Sequence, residues 1–458
     1  MIEGLKPYAE YKESDIPWAP ALPSSWQTER AKRLFTKMQR PVRPEDDVVT
    51  CFRDGMVTLR KNRRLRGFTE ATVFSGYQGI RKGDLVIHGM DAFAGAIGVS
   101  DSDGKGTPVY NVCKPGPGVV ANYYAHTVRE MSRSEWILAL AKGIRERSTD
   151  FRYEMFGNQI VPLPPPDEQA AIVRFLDHAN RKIDGWVRAK RKLIGLLNEQ
   201  KQAIIHRAVT RGLHPDVPLK PSGIPWLGDI PIHWGIVRNM ALFAHRVEPG
   251  IAGLPVLQVS LRSGITAEEL DQFGRPKRLI ADATKYKRIH EGDMAYNTMR
   301  MWQGAVGVSP SDGLVSPAYV VLKPRKDTCP EFYDFIFHTE VYKQQVNRQS
   351  TGIVSDRNRL YWDSFKQMPN LTLPTTEQKE IVAYIAQETA ALNTAIARTE
   401  REIALMQEYR TRLTADLVTG KLDVRAAAAH LPAPPADAVT ESTADEPLEG
   451  IETEEAPE

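Results

Sequence analysis

The sequence predicts an α+β protein with two pseudo-symmetric domains, each followed by a long α-helix, the two helices packed as an antiparallel coiled coil. Three observations carry this prediction. A set of short motifs recurs once, at a nearly constant offset of 208 or 209 residues. Each copy ends in a proline-free segment whose apolar residues alternate in steps of three and four. Before each segment, short β-rich runs alternate with Gly/Asp turns.

The repeat consists of the same motifs in the same order in both halves of the chain. They are a lead with two tryptophans, a Gly-Asp turn, a Gly-Ala-x-Gly-Val-Ser run, a Leu-Pro pair and a Glu-Gln pair. A repeat of this length is domain-sized, far above the period of a solenoid. The matched positions are 14–26 and 222–234, 83–84 and 292–293, 95–100 and 304–309, 163–164 and 373–374, and 168–169 and 377–378.

Two proline-free segments, 167–211 and 376–420, are predicted to be the long helices. Each can reach about 44 residues, or roughly 66 Å at 1.5 Å per residue. Two such helices in one chain most simply pack on each other. The predicted helix seam comprises Leu176, Ile183, Val187, Ile194, Leu197 and Ile204 in the first helix, and Ile385, Leu392, Ile396, Ile403, Met406, Leu413 and Leu417 in the second.

Prolines precede both helices and favour a helix start directly after them. Asp167 and Thr376 are predicted to be the N-caps. Glu168 and Glu377 then lie in the first turn, where a carboxylate suits the helix dipole. These roles are structural, so no catalytic role is assigned to either glutamate.

The composition indicates a soluble protein with more than one domain. The chain has 458 residues, of which 42% are hydrophobic and 26% charged, too many for one hydrophobic core. No run approaches the roughly 20 apolar residues of a membrane helix, and the N-terminus lacks the apolar core of a signal peptide. Three widely separated cysteines without a CxxC pair support neither a disulfide framework nor a zinc site. A cytoplasmic location is expected.

The net charge of +3 hides an asymmetry along the chain. Nine of the 57 acidic residues lie in 426–458, which contains no Lys or Arg, so the rest of the chain has 60 basic residues against 48 acidic ones. A basic body favours a polyanionic partner such as nucleic acid, although it also suits a merely soluble basic protein. The proline-containing acidic tail lacks the apolar content to fold and is predicted to be disordered.

Within the repeated frame, the two halves diverge in basic and aromatic residues. Arg can read guanine, Gln can read adenine, and Lys and Arg can hold phosphates, so these residues are the candidate DNA contacts. The alternatives are an ordinary loop for the run 60–66 and a buried core position for Trp302. Short helices are also predicted at 134–142 and 331–345. The candidate contacts are Arg60, Lys61, Arg63, Arg64, Arg66, Arg300, Trp302, Gln303, Arg348, Arg357 and Arg359.

Common catalytic motifs are missing from the sequence. There is no GxxxxGK[ST] phosphate loop, no GxSxG or HExxH motif, and no spaced His/Cys set for a metal. The Asn/Asp-Pro-Pro-aromatic motif of amino-methyltransferases is also missing. A repeat with basic, divergent regions and no catalytic set favours recognition over catalysis.

The junction motifs carry a resemblance to a known family. Leu163-Pro164 before Glu168-Gln169, with its second copy at 373–378, resembles the specificity subunits of type I restriction-modification systems. So do the Gly-Asp turn at 292–293, the Gly-Ala-Val-Gly-Val run at 304–308 and Thr351-Gly352. The resemblance covers nearly all of 14–422. The first half departs from it at 101–108, which is more polar and has Thr-Pro in place of Ser-Pro.

The resemblance implies a division of labour along the chain. Each globular unit would be a target-recognition domain for one half of a split DNA sequence, and the helices would be spacers that dock two methyltransferase subunits. Restriction/translocase subunits would join them, with S-adenosylmethionine, ATP and Mg on the partners and no cofactor on this chain. The implied divisions are a first target-recognition domain at 1–165, a first spacer helix at 166–212, a second target-recognition domain at 213–374, a second spacer helix at 375–422 and the acidic tail at 423–458.

Two other function classes stay open from the residues alone. A coiled-coil scaffold whose globular ends bind proteins fits the helices and the acidic tail equally well. A self-contained nuclease is a third reading, against which the missing catalytic sets count. The salt dependence of DNA binding distinguishes recognition from scaffolding, because phosphate contacts weaken steeply with salt.

Overall fold

The computed structural model describes residues 5–63, 76–140, 150–224, 227–261, 264–267, 282–352 and 358–432. Contacts divide the chain into two compact units, and each long helix contributes one part to each unit. The predicted domain limits instead placed the whole helices outside the globular domains. Unit 1 comprises Met1–Ala189 and Glu402–Glu458, and unit 2 comprises Lys190–Arg401.

Unit 1 is built around a four-stranded antiparallel sheet with the order β4-β11-β8-β9. Two-stranded pairs surround it: β1 with β2, β3 with β12, β5 with β6, and β7 with β10. The strands are β1 Tyr11–Glu13, β2 Ala21–Pro23, β3 Gln27–Arg30, β4 Phe35–Met38, β5 Val49–Cys51, β6 Val57–Leu59, β7 Gln78–Ile80, β8 Leu85–His88, β9 Ile97–Val99, β10 Gly104–Gly106, β11 Tyr110–Pro115 and β12 Ile160–Leu163. The helices are α1 Ala31–Leu34, α2 Ala121–Arg133, α3 Trp136–Leu140, α4 Tyr153–Gly157 and the start of α5 Pro166–Arg211.

Unit 2 repeats this arrangement, with a four-stranded sheet of order β16-β23-β20-β21. Its pairs are β13 with β14, β15 with β24, β17 with β18, and β19 with β22. The strands are β13 Leu219–Pro221, β14 Asp229–Pro231, β15 Gly235–Arg238, β16 Phe243–Arg246, β17 Leu257–Ser260, β18 Gly264–Ala267, β19 Lys287–Ile289, β20 Met294–Asn297, β21 Val306–Val308, β22 Gly313–Val315, β23 Tyr319–Pro324 and β24 Pro369–Thr372. The helices are α6 Asn239–Leu242, α7 Pro330–Phe337, α8 Glu340–Gln349, α9 Trp362–Phe365 and α10 Thr375–Val418, followed by α11 Arg425–Ala429 of unit 1.

The inner strands of both sheets are buried on both faces. In β8, Leu85 and Ile87 belong to the main core of unit 1, while Val86 between them belongs to a smaller core. In β20, Met294 faces the main core of unit 2 and Ala295 faces a smaller core. Because successive side chains of a strand point to opposite faces, these near-continuous apolar runs indicate a sheet covered on both sides.

The long helices begin at the first residues of the predicted spacer helices, one residue before the predicted N-caps. Helix α5 has 46 residues and starts at Pro166, and α10 has 44 residues and starts at Thr375. Asp167 and Thr376 therefore lie inside the first turn, and the N-cap prediction is wrong for both. Proline suits the first helical position because its missing N–H would have no partner there.

Two predictions about the shorter helices need correction. The predicted helix at 134–142 is the short α3, and the longer α2 before it was missed because its tyrosines and its one histidine disguise the apolar face. The predicted helix at 331–345 is two helices, α7 and α8, separated at Thr339. The Thr339 hydroxyl accepts a hydrogen bond from the Tyr342 N–H and caps α8.

Each unit contains its own contact between a part of α5 and a part of α10. In unit 1, Ile172 and Leu176 share a core with Leu413 and Leu417. In unit 2, Ile205, Ala208 and Val209 share a core with Ile381 and Ile385. The prediction that the two long helices pack on each other is confirmed.

Candidate nucleic-acid interface

The candidate interface is built on a turn that both units share. The β8–β9 turn (88–96) and the β20–β21 turn (297–305) each contain a single turn of 3₁₀-helix, at Ala92–Ala94 and Met301–Gln303. Each ends at a glycine in the left-handed region, Gly95 with φ 88° and Gly304 with φ 98°. A side chain at such a φ would be strained, so glycine is favoured at this point of both turns.

The backbone hydrogen bonds of the two turns correspond one to one. The Asp91 N–H donates to the His88 carbonyl at 3.1 Å, and the Arg300 N–H donates to the Asn297 carbonyl at 3.1 Å. The carbonyl oxygens of Asp91 and Arg300 each accept from two later N–H groups, at 3.0–3.2 Å in the first turn and at 3.0 Å in the second. The two turns therefore have one backbone geometry with different side chains.

The unit 2 turn exposes two of the predicted contact residues. Arg300 and Gln303 are exposed, and neither side chain has a hydrogen-bond or ion-pair partner among the described residues. Trp302 is half-buried, packs against the main core of unit 2, and its indole N–H donates to the Met299 carbonyl at 2.9 Å. Trp302 thus supports the turn, while Arg300 and Gln303 are available to a ligand.

The fold brings two further predicted arginines to the same turn. The Leu360 N–H donates to the Thr298 carbonyl at 2.9 Å, which fixes the backbone beside Arg359 next to the turn. Arg359 and Thr351 exchange two backbone hydrogen bonds, and Thr351 follows the end of α8, which carries Arg348. We name Arg300, Gln303, Arg348 and Arg359, all exposed, the unit 2 cationic face.

Acidic residues on the neighbouring short helices do not neutralise this face. Glu340 of α8 is paired with Lys343 at 2.5 Å, and Asp363 of α9 is paired with Lys366 at 2.5 Å. Within the described part of the chain, none of the three arginines of the face has an ion pair. Unpaired guanidinium groups on one surface are the arrangement that binds phosphates and base edges.

The basic run of unit 1 has internal partners. Lys61 pairs with Asp47 at 2.6 Å, and the Arg60 Nε donates to the Thr50 hydroxyl at 3.3 Å. These contacts do not test whether the residues bind DNA, so their role stays a prediction. They do show that the side chains of Arg60 and Lys61 each have a polar partner within unit 1.

Arg63 is held more firmly than the other two. Its guanidinium pairs with Asp54 at 2.6 Å and lies 4.5 Å from the centre of the Phe52 ring, and its side chain is only 18% exposed. A substitution there would remove a structural contact as well as a charge. Arg64 and Arg66 of the same run, and Arg357 of unit 2, lie outside the described residues.

Arg53 is a candidate contact that the sequence did not indicate. It lies in the loop between β5 and β6, its side chain is 67% exposed, and its Nη2 pairs with Asp91 Oδ1 at 2.8 Å. Asp91 holds the position in the first turn that Arg300 holds in the second. The reversal of charge at matched positions was visible in the sequence, but the pairing of a distant arginine with it was not.

The Glu-Gln pair of unit 1 locks the start of the long helix to the globular domain. The buried Glu168 carboxylate accepts hydrogen bonds from the Tyr8 hydroxyl and, at 2.8 Å, from the Trp26 indole N–H. Burial and this bond to Glu168 hold the pKa of Tyr8 well above its usual range. The Gln169 side chain accepts from the Val120 N–H at 2.9 Å and donates to the Pro164 carbonyl at 2.8 Å.

Unit 2 has a corresponding lock, in which a histidine takes the place of the tyrosine. Glu377 accepts from the Trp234 indole N–H at 3.0 Å and pairs with the more exposed His233 at 2.9 Å. The Gln378 side chain accepts from the Cys329 N–H at 2.8 Å. Sequence reasoning placed both glutamates at the helix dipole and missed their bonds to the lead tryptophans. The recurrence of the Trp and the Glu, at offsets of 208 and 209 residues, was the available signal.

The predicted seam residues follow the least exposed stripe of both long helices. Leu176, Ile183 and Val187 are buried in α5, while Trp186 beside them is 46% exposed. Two polar contacts join the helices within the units: Arg410 pairs with Asp184 in unit 1, and Lys201 Nζ donates to Asn393 at 2.8 Å in unit 2. The other predicted seam residues are buried at Ile385, Leu413 and Leu417 and half-buried at Ile194, Leu197, Ile204, Leu392, Ile396, Ile403 and Met406.

Neither a metal site nor a membrane span was found in the part of the chain that the structure describes. Among those residues, no group of three or more His, Cys, Asp or Glu side chains could hold a metal ion. No helix among them is long and apolar enough to cross a bilayer.

The comparisons with known proteins give matches only among solved structures. No protein-family model matches the sequence, and a search of curated proteins finds no match. A chain from a structure that describes complex assembly and conformational transition of the type I R-M system is 15% identical, with a TM-score of 0.60 over 87% of this chain and 98% of that one. The HsdS subunit from Thermoanaerobacter tengcongensis is 16% identical, with a TM-score of 0.41 over 87% and 98% of the two chains. The type I restriction-modification S subunit from M. genitalium is 11% identical, with a TM-score of 0.33 over 86% and 96%.

The first of these similarities establishes a shared fold over most of this chain and nearly all of the other chain. The predicted α+β class, with two long helices that pack together, is confirmed.

Proposed function

We propose that this chain is the specificity subunit of a type I restriction-modification complex, and that it recognises DNA without catalysing a reaction. The observation that carries the proposal is the fold shared with a chain of a type I R-M system over 87% of this chain. Fold alone does not determine function. The unit 2 cationic face supplies the chemistry that DNA binding requires.

In this proposal each unit reads one half of a split target. The two units share strand orders and turn geometry but differ in the side chains of the turn. Two domains with the same backbone frame can bind two similar surfaces of a duplex while preferring different bases. Joining them in one chain multiplies their affinities through effective concentration.

The two long helices are proposed to form an antiparallel coiled coil that sets the distance between the half-sites. Support comes from contacts within each unit. In unit 1, Ile172 shares a core with Leu417, and Asp184, further along α5, meets Arg410, which is earlier in α10. In unit 2, Lys201 meets Asn393, and Val209 shares a core with Ile381.

The partners in this proposal are two methyltransferase subunits and the restriction/translocase subunits. Two exposed leucines at matched positions of the long helices support the docking of two copies of the same partner subunit. Leu196 of α5 is 53% exposed, and Leu405, at the matched position of α10, is 54% exposed. S-adenosylmethionine, ATP and Mg would act on the partners, where they would supply adenine methylation and ATP-dependent cleavage. The complex would work in the cytoplasm.

Two measurements test the proposal. Single-molecule sequencing of DNA from cells that carry the chain should reveal one adenine-methylated motif with two specified blocks and a fixed unspecified gap. DNA binding by the purified chain should weaken steeply between 50 and 200 mM salt, because phosphate contacts release counterions. Absence of any split motif, with DNA binding indifferent to salt, would contradict the proposal and favour a protein-binding scaffold.

A further inference from the structure

A cavity of about 300 Å³ lies in unit 1 between the start of α5 and the residues that follow α11. Its apolar lining includes Val120 and Val173. Leu431 and Pro432 line it from the other side, and the Arg174 Nη2 donates to their carbonyls at 2.5 and 3.5 Å. The C-terminal end of the described chain is therefore attached to this cavity through α5.

The side of α5 that lines the cavity is basic. Arg174, His178 and Arg181 all line it, and their spacing of four and three residues places them on one helix face. Burial, and then the positive charges of Lys182 and Arg181, lower the pKa of His178. Arg181 and Lys182 are exposed, and neither has a hydrogen bond or ion pair with a described residue. We name Arg174, His178, Arg181 and Lys182 the α5 basic face; Asp177 is the one carboxylate among the described residues that line the cavity.

The second long helix has no such face at the matched positions. The residues 209 positions later are Ala383, Gln387, Ala390 and Ala391, and all four are exposed. The repeated fold therefore does not require cations at these places. They occur on the helix whose cavity meets the C-terminal segment, so we looked to that segment for their ligand.

The acidic tail, 433–458, has the charge and the reach to bind this face. It lies outside the described residues, and it contains nine carboxylates and no Lys or Arg. Its first acid, Asp437, comes five residues after Pro432, or about 17 Å of extended chain. The face spans only about 12 Å along α5, at 1.5 Å per residue. Because Pro432 is held at the face, tethering keeps these carboxylates near it at an effective concentration of about 1 mM.

We propose that the acidic tail docks on the α5 basic face and shields it from other polyanions, including DNA of unrelated sequence. The tail is an internal competitor. At an effective concentration of about 1 mM, and with an affinity like that of non-specific DNA, about 10⁻⁴ M, it occupies the face about ten times more often than it leaves it free. Asp177 repels the tail and keeps the binding reversible. The shielding goes beyond the proposed function and does not depend on it.

The docking is tested by zero-length cross-linking of the full chain with a carbodiimide, which joins a carboxylate to an amine. Mass spectrometry should find tail carboxylates joined to Lys182, with a yield that falls between about 50 and 200 mM salt as the charges are screened. Arg181→Gln leaves the Lys182 amine in place and should lower the yield roughly 1.5- to 5-fold. Asp177→Asn should raise it, because a repelling charge is removed.

Arg33→Gln is the matched control, because it removes the same charge from a residue of unit 1 that is 72% exposed and lies outside the face. It should leave the yield unchanged. A yield at Lys182 that is indifferent to salt and to Arg181→Gln overturns the proposal. So does protection of Lys182 by the methyltransferase subunit in a chain whose tail never cross-links to it, which would assign the face to that partner.

The shielding is tested with the full chain and a duplex of unrelated sequence. A tail-neutral variant should bind this duplex about tenfold more tightly than the unmodified chain. The gain should disappear when Arg181→Gln and Lys182→Gln are added. No gain, or a gain that persists without these two cations, overturns the proposal. Neither experiment needs a split motif, so failure of the proposed function gives a different result. The tail-neutral variant combines Asp437→Asn, Glu441→Gln, Asp445→Asn, Glu446→Gln, Glu449→Gln, Glu452→Gln, Glu454→Gln, Glu455→Gln and Glu458→Gln.

Discussion

In the β8–β9 turn of unit 1, Asp91 precedes the 3₁₀ residues and its carboxylate holds Arg53 at 2.8 Å. In the β20–β21 turn of unit 2, Arg300 occupies the same backbone position and has no ion pair among the described residues. The hydrogen bonds that shape the two turns correspond one to one. The comparison shows that backbone geometry and ligand chemistry are separable in this fold. Buried polar anchors fix the frame, and exposed side chains can change without disturbing it.

The two units also differ in how many buried donors bind the glutamate at the start of each long helix. Glu168 accepts hydrogen bonds from two buried donors, Tyr8 and Trp26. Glu377 accepts a hydrogen bond from one buried donor, Trp234, and pairs with the half-exposed His233. Removing an acceptor leaves each buried donor without a partner at about 1–3 kcal/mol. The lock of unit 1 should therefore contribute more to stability than that of unit 2.

The largest expected effect follows from this difference. Glu168→Ala should lower the free energy of unfolding of unit 1 by about 3 kcal/mol, and Glu377→Ala that of unit 2 by about 1.5 kcal/mol. Guanidinium titrations followed by tryptophan fluorescence measure both, because Trp26 and Trp234 report on their own locks. Glu408→Ala, at an exposed position of α10, is the control. Equal and small losses for Glu168→Ala and Glu377→Ala would show that the carboxylates do not hold the helices to the domains.

The second prediction compares an unpaired cation with a paired one. Arg300→Ala should weaken binding to the selected duplex by about 1–3 kcal/mol, roughly 5- to 150-fold, with stability unchanged. Lys61→Ala should have a smaller effect, because Asp47 already pairs with Lys61 in the free protein. Fluorescence anisotropy with a labelled duplex measures both affinities. A larger loss for Lys61→Ala would place the main contact in unit 1 and reverse the comparison.

The smallest expected effect concerns pH. Matched positions carry Arg81 in unit 1 and His290 in unit 2, and each backbone N–H donates to the aspartate three residues later. A hydrogen bond from His290, followed by one from Arg246, holds the pKa of Glu248 below its usual range. A lowered pKa means that Glu248 stabilises unit 2 above pH about 4.5, and that this contribution is lost as the pH falls through the lowered pKa.

Glu248→Gln should therefore reduce the loss of unit 2 stability between about pH 5 and pH 3. The effect should stay below about 1 kcal/mol, because the side chain is 41% exposed and solvent screens the pairs. Urea unfolding at a series of pH values measures it. An unchanged pH profile would remove this electrostatic difference between the units.

Much of the frame could be predicted from the sequence, because it depends on periodic apolar residues and on motifs that recur. The alternation of three and four gave the seam from Leu176 to Ile204, and the offset of 208 or 209 gave two copies of one domain. The N-caps were misplaced, because Asp167 and Thr376 have side chains typical of caps although both lie inside the first helical turn. Helix α2 was missed because its buried face includes Tyr123 and Tyr124.

The candidate interface could be predicted only in part, since charge in a sequence does not show which cations have partners. The run at 60–66 was predicted to contact DNA, yet Lys61 and Arg63 are paired with aspartates that precede them in the chain. Arg300, Arg348 and Arg359 are separated in the sequence, and backbone hydrogen bonds at Thr298 and Thr351 bring their segments together. Such long-range contacts leave no local signature.

The claim that the two units read different half-sites is tested most directly by the methylated motif of cells that carry the double variant Arg300→Ala/Gln303→Ala. Both residues lie on unit 2, so the account predicts a motif that is altered or relaxed in one block, with the other block and the gap unchanged. Changes in both blocks, or a motif identical to that of the unmodified chain, would contradict it.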